Sequence, residues 1–543
     1  MQQVARHGGP AGPFSRLAAG AAAAMIAAGL ASAVPAPRSP DVTVLVSVVG
    51  SSGSAAEHAV ARAVTRLGGA VERQFSLIDG FAARLPGSAV ASLSAVPGVR
   101  WVSPDSTIHL EGQYGQDSGV ASAAYTDVTR ASKAWSIGDT GTGVSVAVID
   151  TGVNMTGDLA GQVVHAEDFT TEQNNQDSYG HGTFVAGLIA GNGAGSSGAV
   201  KGVAPGAKIV SLKIAGANGL TDVTRVLEAL EWVVAFKDVY RIRVVNLSLG
   251  FPSHQSYLVD PLDFAVERVW NAGVVVVAAA GNGNNAPGSI TAPGNDPFVI
   301  TAGSSNDKTT VTLDDDQLAG FSSVGPTVDG LSKPDVLAPG QSVVSSRSPG
   351  SWIDTTYPSS EIGSRYARGS GTSFSTAITA GAAALVLQRW PLLTPDQVKY
   401  RLVSTARAIG GTNSTRARAI DAYGAATSVS LLPANLGVVL GSGGGSLQAT
   451  RGVLCVRAPD GTCMSDVDVD ALLNFDESQY FSNIWAGSLW LGTQWLGSLR
   501  PSTLTGSQWA GSQWAGSQWA GSQWAGSQWA SAPWAGGTWG YLP

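Results

Sequence analysis

Three short segments carry residue types that together can cleave an acyl bond. The first, Val144-Ser-Val-Ala-Val-Ile-Asp150-Thr-Gly, reads as a buried strand ending on a carboxylate. A carboxylate there, with backbone amides close by, stays ionised and can orient an imidazole. The second, Gly180-His181-Gly-Thr-Phe-Val-Ala-Gly, starts a helix with a histidine framed by glycines that leave space for a substrate. The third, Gly369-Ser-Gly-Thr372-Ser373-Phe-Ser-Thr-Ala, sets a serine at the start of a long apolar helix. A helix N-terminus offers unpaired N–H groups and partial positive charge to a developing oxyanion. Each segment alone has a plain structural explanation as a cap or a helix start. In the order Asp150, His181, Ser373, spaced 31 and then 192 residues apart, they supply an orienting acid, a base and a nucleophile. Of the six histidines, His7 lies in the segment ahead of the apolar stretch, His58 and His109 lie in the small N-terminal domain, and His165 and His254 lack the glycine framing of His181.

Such residues need a rigid frame, and in open parallel sheets reactive side chains gather at the C-terminal strand ends. Apolar runs at 144–149, 209–212, 244–249, 274–280 and 299–302 alternate with helical segments at 184–190, 221–236, 263–272 and 375–390. Continuous apolar strands separated by helices predict an α/β domain, a mainly parallel sheet with helices on both faces, over residues 125–430. Ahead of it, residues 41–112 predict a small α+β domain. Its order is a strand at 42–49, a helix at 55–67, strands at 71–77 and 81–85, a helix at 88–93 and a strand at 99–102.

Composition narrows the class further. The 71 charged residues amount to 13% of 543, and a net charge of −7 without a basic stripe argues against a nucleic-acid partner. Arg6, His7 and Arg16 precede the apolar stretch Leu17 to Ala31, which ends in Ala31-Ser32-Ala33. A basic start, a short apolar centre and a small-residue exit predict a secretion signal at 1–33, too short for a spanning helix. Outside the cell, Cys455 and Cys463 are expected to form a disulfide across a Pro-Asp-Gly turn, with two free thiols the alternative. They lie in a linker, 431–480, ahead of a repeat at 481–543 that places Trp509, Trp514, Trp519, Trp524, Trp529, Trp534 and Trp539 five apart. A period of five fits neither a strand nor an amphipathic helix. The tail therefore has three readings: attachment to cell wall, polysaccharide or a partner; a self-packed repeat; or a disordered segment.

Through the three motifs and their surroundings, from about Lys133 to Ala426, the chain resembles the subtilisin-like serine peptidases, the subtilases. The resemblance implies that Asp150 orients His181, that His181 is general base and then general acid, and that Ser373 is the nucleophile. It matches Asn282, in Ala279-Ala280-Gly281-Asn282, to the family's side-chain oxyanion donor. Ser248, Leu249 and Gly250 match one cleft strand, and Lys213 to Gly219, with Gly216, match the opposite edge. The resemblance thus implies a secreted endopeptidase of broad specificity acting on proteins or peptides. No cofactor is needed for its catalysis, and the small N-terminal domain serves as an inhibitory propeptide removed by self-cleavage. The cut is expected between Leu110 and Ala124, where no residue marks it. Thr291 stands where many relatives carry glycine, which makes the adjoining pocket shallower. Phe184, Phe374 and Ala377 replace a frequent His, Met and Pro. A structural calcium stays open, because 192–198 is short of carboxylates and Asp314 to Asp316 reads equally well as a solvated turn.

Overall fold

The computed structural model describes residues 40–445, apart from 106, 111–112, 115–122, 156, 253–254 and 412–414, together with 456–457, 463–464, 490–491 and 494–495. The secretion signal, the cysteine pairing and the tail's Trp repeat lie outside the described residues.

The N-terminal domain follows the expected order of elements. Strand β1 (Asp41–Val48) is central, helix α1 (Ala55–Arg66) crosses back, and β2 (Ala70–Phe75) and β3 (Gly80–Pro86) form a hairpin. Helix α2 (Val90–Ser94) leads into β4 (Val99–Pro104), giving an antiparallel sheet of order β2-β3-β1-β4. Val44, Val46, Val48, Phe81, Ala83 and Leu85 from the strands close over Val60 and Val64 of α1. Ser54 caps α1 by accepting from the Glu57 N–H at 3.2 Å. The chain continues into two short strands, β5 (Thr107–Leu110) and β6 (Gln113–Tyr114).

The larger domain is built on β7 (Ser145–Asp150), β8 (Val163–Asp168), β9 (Lys208–Lys213), β11 (Ile242–Leu247), β13 (Val275–Ala279), β15 (Ile300–Asn306), β17 (Val336–Pro339) and β21 (Arg418–Ala419). These run parallel in the order β21-β17-β15-β13-β11-β7-β9-β8, with β16 (Gln317–Leu318) antiparallel to β15. Outside this sheet lie β10 (Leu220–Asp222), β12 (Leu249–Pro252) and β14 (Thr291–Ala292). A small antiparallel sheet holds β18 (Val343–Ser346), β19 (Glu361–Ile362) and β20 (Tyr366–Ser370). Helices α3 (His181–Ala190), α4 (Val223–Tyr240), α5 (Pro261–Asn271) and α6 (Thr372–Arg389) cover it.

Every residue of α6 from Thr372 to Leu387 is buried, which explains its Ala-rich, all-round apolar sequence. The expected start of α4 at Thr221 is corrected. Residues 220–222 pair as a strand instead, and Asp222 caps the helix by accepting from Arg225 N–H at 2.8 Å. The edge strands β8 and β21 escape the apolar pattern because they are only partly buried.

The N-terminal domain seats on α4 and α5. Glu231 accepts from the N–H groups of Ser76 and Leu77, each at 3.0 Å. Asp79 pairs with Arg268 at 2.7 Å, and the Thr224 N–H in the first turn of α4 reaches Asp105 at 3.0 Å.

Candidate active site

Strand β7 delivers Asp150 to the sheet's C-terminal edge, fully buried. One carboxylate oxygen accepts from the Thr151 N–H at 2.8 Å. Both oxygens face His181 Nδ1, at 2.8 and 2.9 Å. His181 is the first residue of α3, and Gly180 before it has φ +107, a left-handed conformation that suits glycine. Gly182 answers a different demand, since a Cβ there would run into the Gly152 carbonyl and crowd Asp150. That close approach lets the helix start meet the strand end.

A second carboxylate stabilises this junction. Asp177, fully buried, accepts from the N–H groups of Gly180 at 2.6 Å and Thr183 at 2.8 Å. It also accepts from the Thr151 hydroxyl at 2.7 Å, which in turn accepts from Gly182 N–H at 2.9 Å. Burial raises the Asp177 carboxyl above its ordinary value, against the pull of those hydrogen bonds. Asp177 and Thr151 escaped the sequence reading, because Asp177 lies three residues ahead of the N-cap Gly180, outside the position where a capping side chain is sought.

Ser373 is the second residue of α6, in the turn whose N–H groups lack intrahelical acceptors. Its hydroxyl donates to the Ser248 carbonyl at 3.2 Å, while the Ser248 hydroxyl donates to the Ser373 carbonyl at 2.8 Å. The next residue, Phe374, packs its ring 5.9 Å from His181 and 4.4 Å from Phe184, so His181 and the start of α6 share one aromatic floor. The two departures Phe184 and Phe374 thus compensate one another in space. Asn282 follows β13, and its side-chain oxygen accepts from Thr372 N–H at 3.0 Å and the Thr372 hydroxyl at 3.1 Å. That grip orients the Asn282 amide at the N-terminus of α6, beside Ser373. Thr372 is the residue that the sequence reading missed here.

Beside these groups runs a cleft. β5 lies between β10 and β12 in a four-stranded order β10-β5-β12-β14, antiparallel to both of its neighbours. His109 stands opposite Leu220 on one side and Gly250 on the other, and Leu110 stands opposite Leu249. Leu249 and Gly250 therefore pair with β5, and Ser248 directly precedes them. Gly216 does not pair with β5. It begins a turn, Gly219 N–H to Gly216 O at 2.9 Å, and a Cβ on it would come within 2.5 Å of Glu172. The pairing edge is Leu220–Asp222, because the turn must complete before the backbone extends. Glu172 holds that turn through the Ala217 N–H at 2.7 Å and is itself paired with the buried Lys213 at 2.8 Å. Burial would raise the Glu172 carboxyl, but hydrogen bonds from Lys213, Ser178 and Ala217 keep it below its ordinary value.

Thr291 is buried between Gly250 and Gly281, its methyl 2.6 Å from where a Cβ on Gly281 would sit. Only glycines fit on its two sides. No group of three or more His, Cys, Asp or Glu side chains is placed to hold a metal among the described residues. In the acidic loop, Asp315 accepts from the hydroxyls of Thr310 at 2.9 Å and Thr312 at 3.2 Å.

Comparison with known proteins agrees with this geometry. A family model described as the subtilase family matches residues 141–426, and one for a peptidase inhibitor domain matches 29–105. Serine protease AprX of Bacillus subtilis (strain 168) is 43% identical over 269 residues, covering 48% of this chain and 61% of that protein. Subtilisin NAT of Bacillus subtilis subsp. natto is 34% identical over 353 residues, covering 64% of this chain and 80% of that protein. Fervidolysin from Fervidobacterium pennivorans, described as a keratinolytic enzyme related to subtilisin, shares the fold. Its TM-score is 0.55 at 24% identity, over 72% of this chain and 62% of that one. With Asp150, His181 and Ser373 assembled on a parallel sheet and more than half its length matched by the family model, the chain belongs to the subtilase family.

Proposed function

We propose that the chain is a secreted serine endopeptidase of broad specificity that removes its own N-terminal domain. The observation that carries this reading is β5, a segment of the chain itself, held as an extended strand in the cleft beside Ser373. Backbone pairing on both edges binds any extended peptide and favours no particular sequence. In the reaction, the Ser373 hydroxyl attacks the peptide carbonyl while His181 takes its proton. Asp150 holds the imidazole through Nδ1–H and stabilises its positive charge. The Asn282 amide and the Ser373 N–H receive the negative charge on the carbonyl oxygen. His181 then protonates the departing amine, and water resolves the acyl-enzyme by the same route in reverse.

The N-terminal domain acts as the inhibitor of this site, seated on α4 and α5 by Glu231 and Arg268 with β5 in the cleft. The apolar stretch at 17–31 directs export. The Trp repeat at 481–543 attaches the enzyme to cell-wall polysaccharide, a role testable by pulling down wall material with that segment. The activity itself is tested by labelling with a serine-directed phosphonate alongside peptide-cleavage profiling. Labelling and cleavage that vanish together in Ser373→Ala support the reading; cleavage that persists in Ser373→Ala refutes it.

A further inference from the structure

One side chain joins the edge of the cleft that pairs with β5 to the loop that carries His181. Glu172 lies between β8 and α3 and is partly buried. Its Oε1 accepts from the Ala217 N–H at 2.7 Å, in the turn that leads into β10. Its Oε2 accepts from Lys213 Nζ at 2.8 Å and from the Ser178 hydroxyl at 2.7 Å. Lys213 is the last residue of β9, stands opposite Asp150 in the pairing with β7, and is completely buried. Its Nζ also donates to the Gln176 carbonyl at 2.5 Å. Ser178 stands three residues ahead of His181. The carboxylate thus has one oxygen on the substrate edge and the other on the strand end and loop that hold Asp150 and His181. Two glycines let the parts close up. A Cβ on Gly216 would come within 2.5 Å of Glu172 Oε1, and one on Gly219, at φ +71, within 2.6 Å of the Tyr179 ring.

We infer that Glu172 is a positioning residue that fixes β10 relative to the catalytic pair and so governs the binding of extended peptides rather than the chemical step. The inference rests on the peptidase reading above and identifies the feature of the substrate that it acts on, main chain long enough to run along Leu220–Asp222. A carboxylate accepts from all three donors at once, and such charge-assisted bonds are the strong ones. A glutamine amide presents only one oxygen, so its NH2 must face either the Ala217 N–H or the Lys213 ammonium, both donors. Losing the Ala217 bond frees the turn and with it the start of β10, while Asp150, His181 and Ser373 keep their own contacts.

The test is steady-state kinetics of the active enzyme on two substrates. One is a peptide that spans β10; the other is an ester of a single acylated amino acid, too short to run along it. Glu172→Gln is expected to raise KM for the peptide about 10- to 100-fold, the weight of a hydrogen bond to a charged group. Its kcat on the peptide, and both constants on the ester, are expected to stay as in the wild type, the pattern of lost uniform binding. Gly216→Ala keeps the Lys213 pair and pushes Oε1 off the Ala217 N–H, so the same rise in peptide KM is expected from it. It decides the matter if Glu172→Gln, with its buried lysine less well paired, does not fold. Equal losses on peptide and ester, a fall in kcat alone, or wild-type kinetics on both substrates would each overturn the inference. A wild-type enzyme that cleaves neither substrate would instead refute the peptidase reading.

Discussion

At the residue scale, the site depends on a few side chains whose geometry is set by neighbours rather than by their own rotamers. Thr372 grips the Asn282 oxygen through its N–H and its hydroxyl, so the amide is oriented before substrate arrives. Removing one preorganised oxyanion donor costs about 10²–10³ in turnover. Asn282→Ala is therefore expected to lower kcat on that order with little change in KM, read by steady-state kinetics on a peptide substrate. Phe374 makes a second prediction. It puts a buried aromatic ring, with no oxidisable thioether, against His181 and next to Ser373. Activity is expected to survive dilute peroxide, and Phe374→Met to introduce sensitivity. Equal loss in both proteins would locate the oxidation elsewhere.

At the element scale, catalysis needs the start of α3 to touch the end of β7. Asp177 secures that contact electrostatically and Gly182 sterically. Gly182→Ala forces a methyl against the Gly152 carbonyl, so either the helix start or the loop must move. Overpacking of this kind costs about 1–3 kcal/mol. A denaturant melt is expected to show that loss, and kcat is expected to fall more than KM rises as His181 leaves its place beside Asp150. Wild-type kcat in this variant would show that the contact has slack. The same scale explains Thr291, whose position between Gly250 and Gly281 follows from β14 pairing with β12.

At the scale of the whole molecule, carboxylates are buried together beneath α5. Burial, and after it the charge of Asp296, pushes Glu267 from 4.5 to about 8. Asp263 is raised well above its ordinary value by burial and then by Asp260 and Asp296. Glu267 also accepts from the Gly441 N–H at 2.8 Å, tying the segment after the catalytic domain to α5. The sign follows from proton counting. Between pH 4.5 and about 8 the folded protein keeps the Glu267 proton that the unfolded chain has released. This group therefore costs nothing below that window, lowers stability as pH rises through it, and adds no further change above it. Glu267→Gln removes the slope and keeps an acceptor for Gly441. In the inactive Ser373→Ala background, the Tm of the Gln variant relative to its parent is expected to rise from pH 5 to pH 8. A flat difference across that range would refute the assignment.

Much of this was legible in the chain itself. Short β-branched and apolar runs around turn residues set out β1 to β4, and buried apolar runs marked β7, β9, β11, β13 and β15 because both faces of those strands are covered. Asp150, His181 and Ser373 could be named because their motifs are local, each a strand end or helix start readable within ten residues, whereas Asn282 was named only through the family resemblance. What sequence could not supply were relations between distant segments. Leu220–Asp222 looked like the opening of a helix until pairing with β5 drew it out as a strand. Thr372 and Asp177 matter only through partners held in place by the fold. The segment of β5 carries no recognisable motif. Its place between β10 and β12 is a matter of register, a property of paired backbones, which only the tertiary structure brings together.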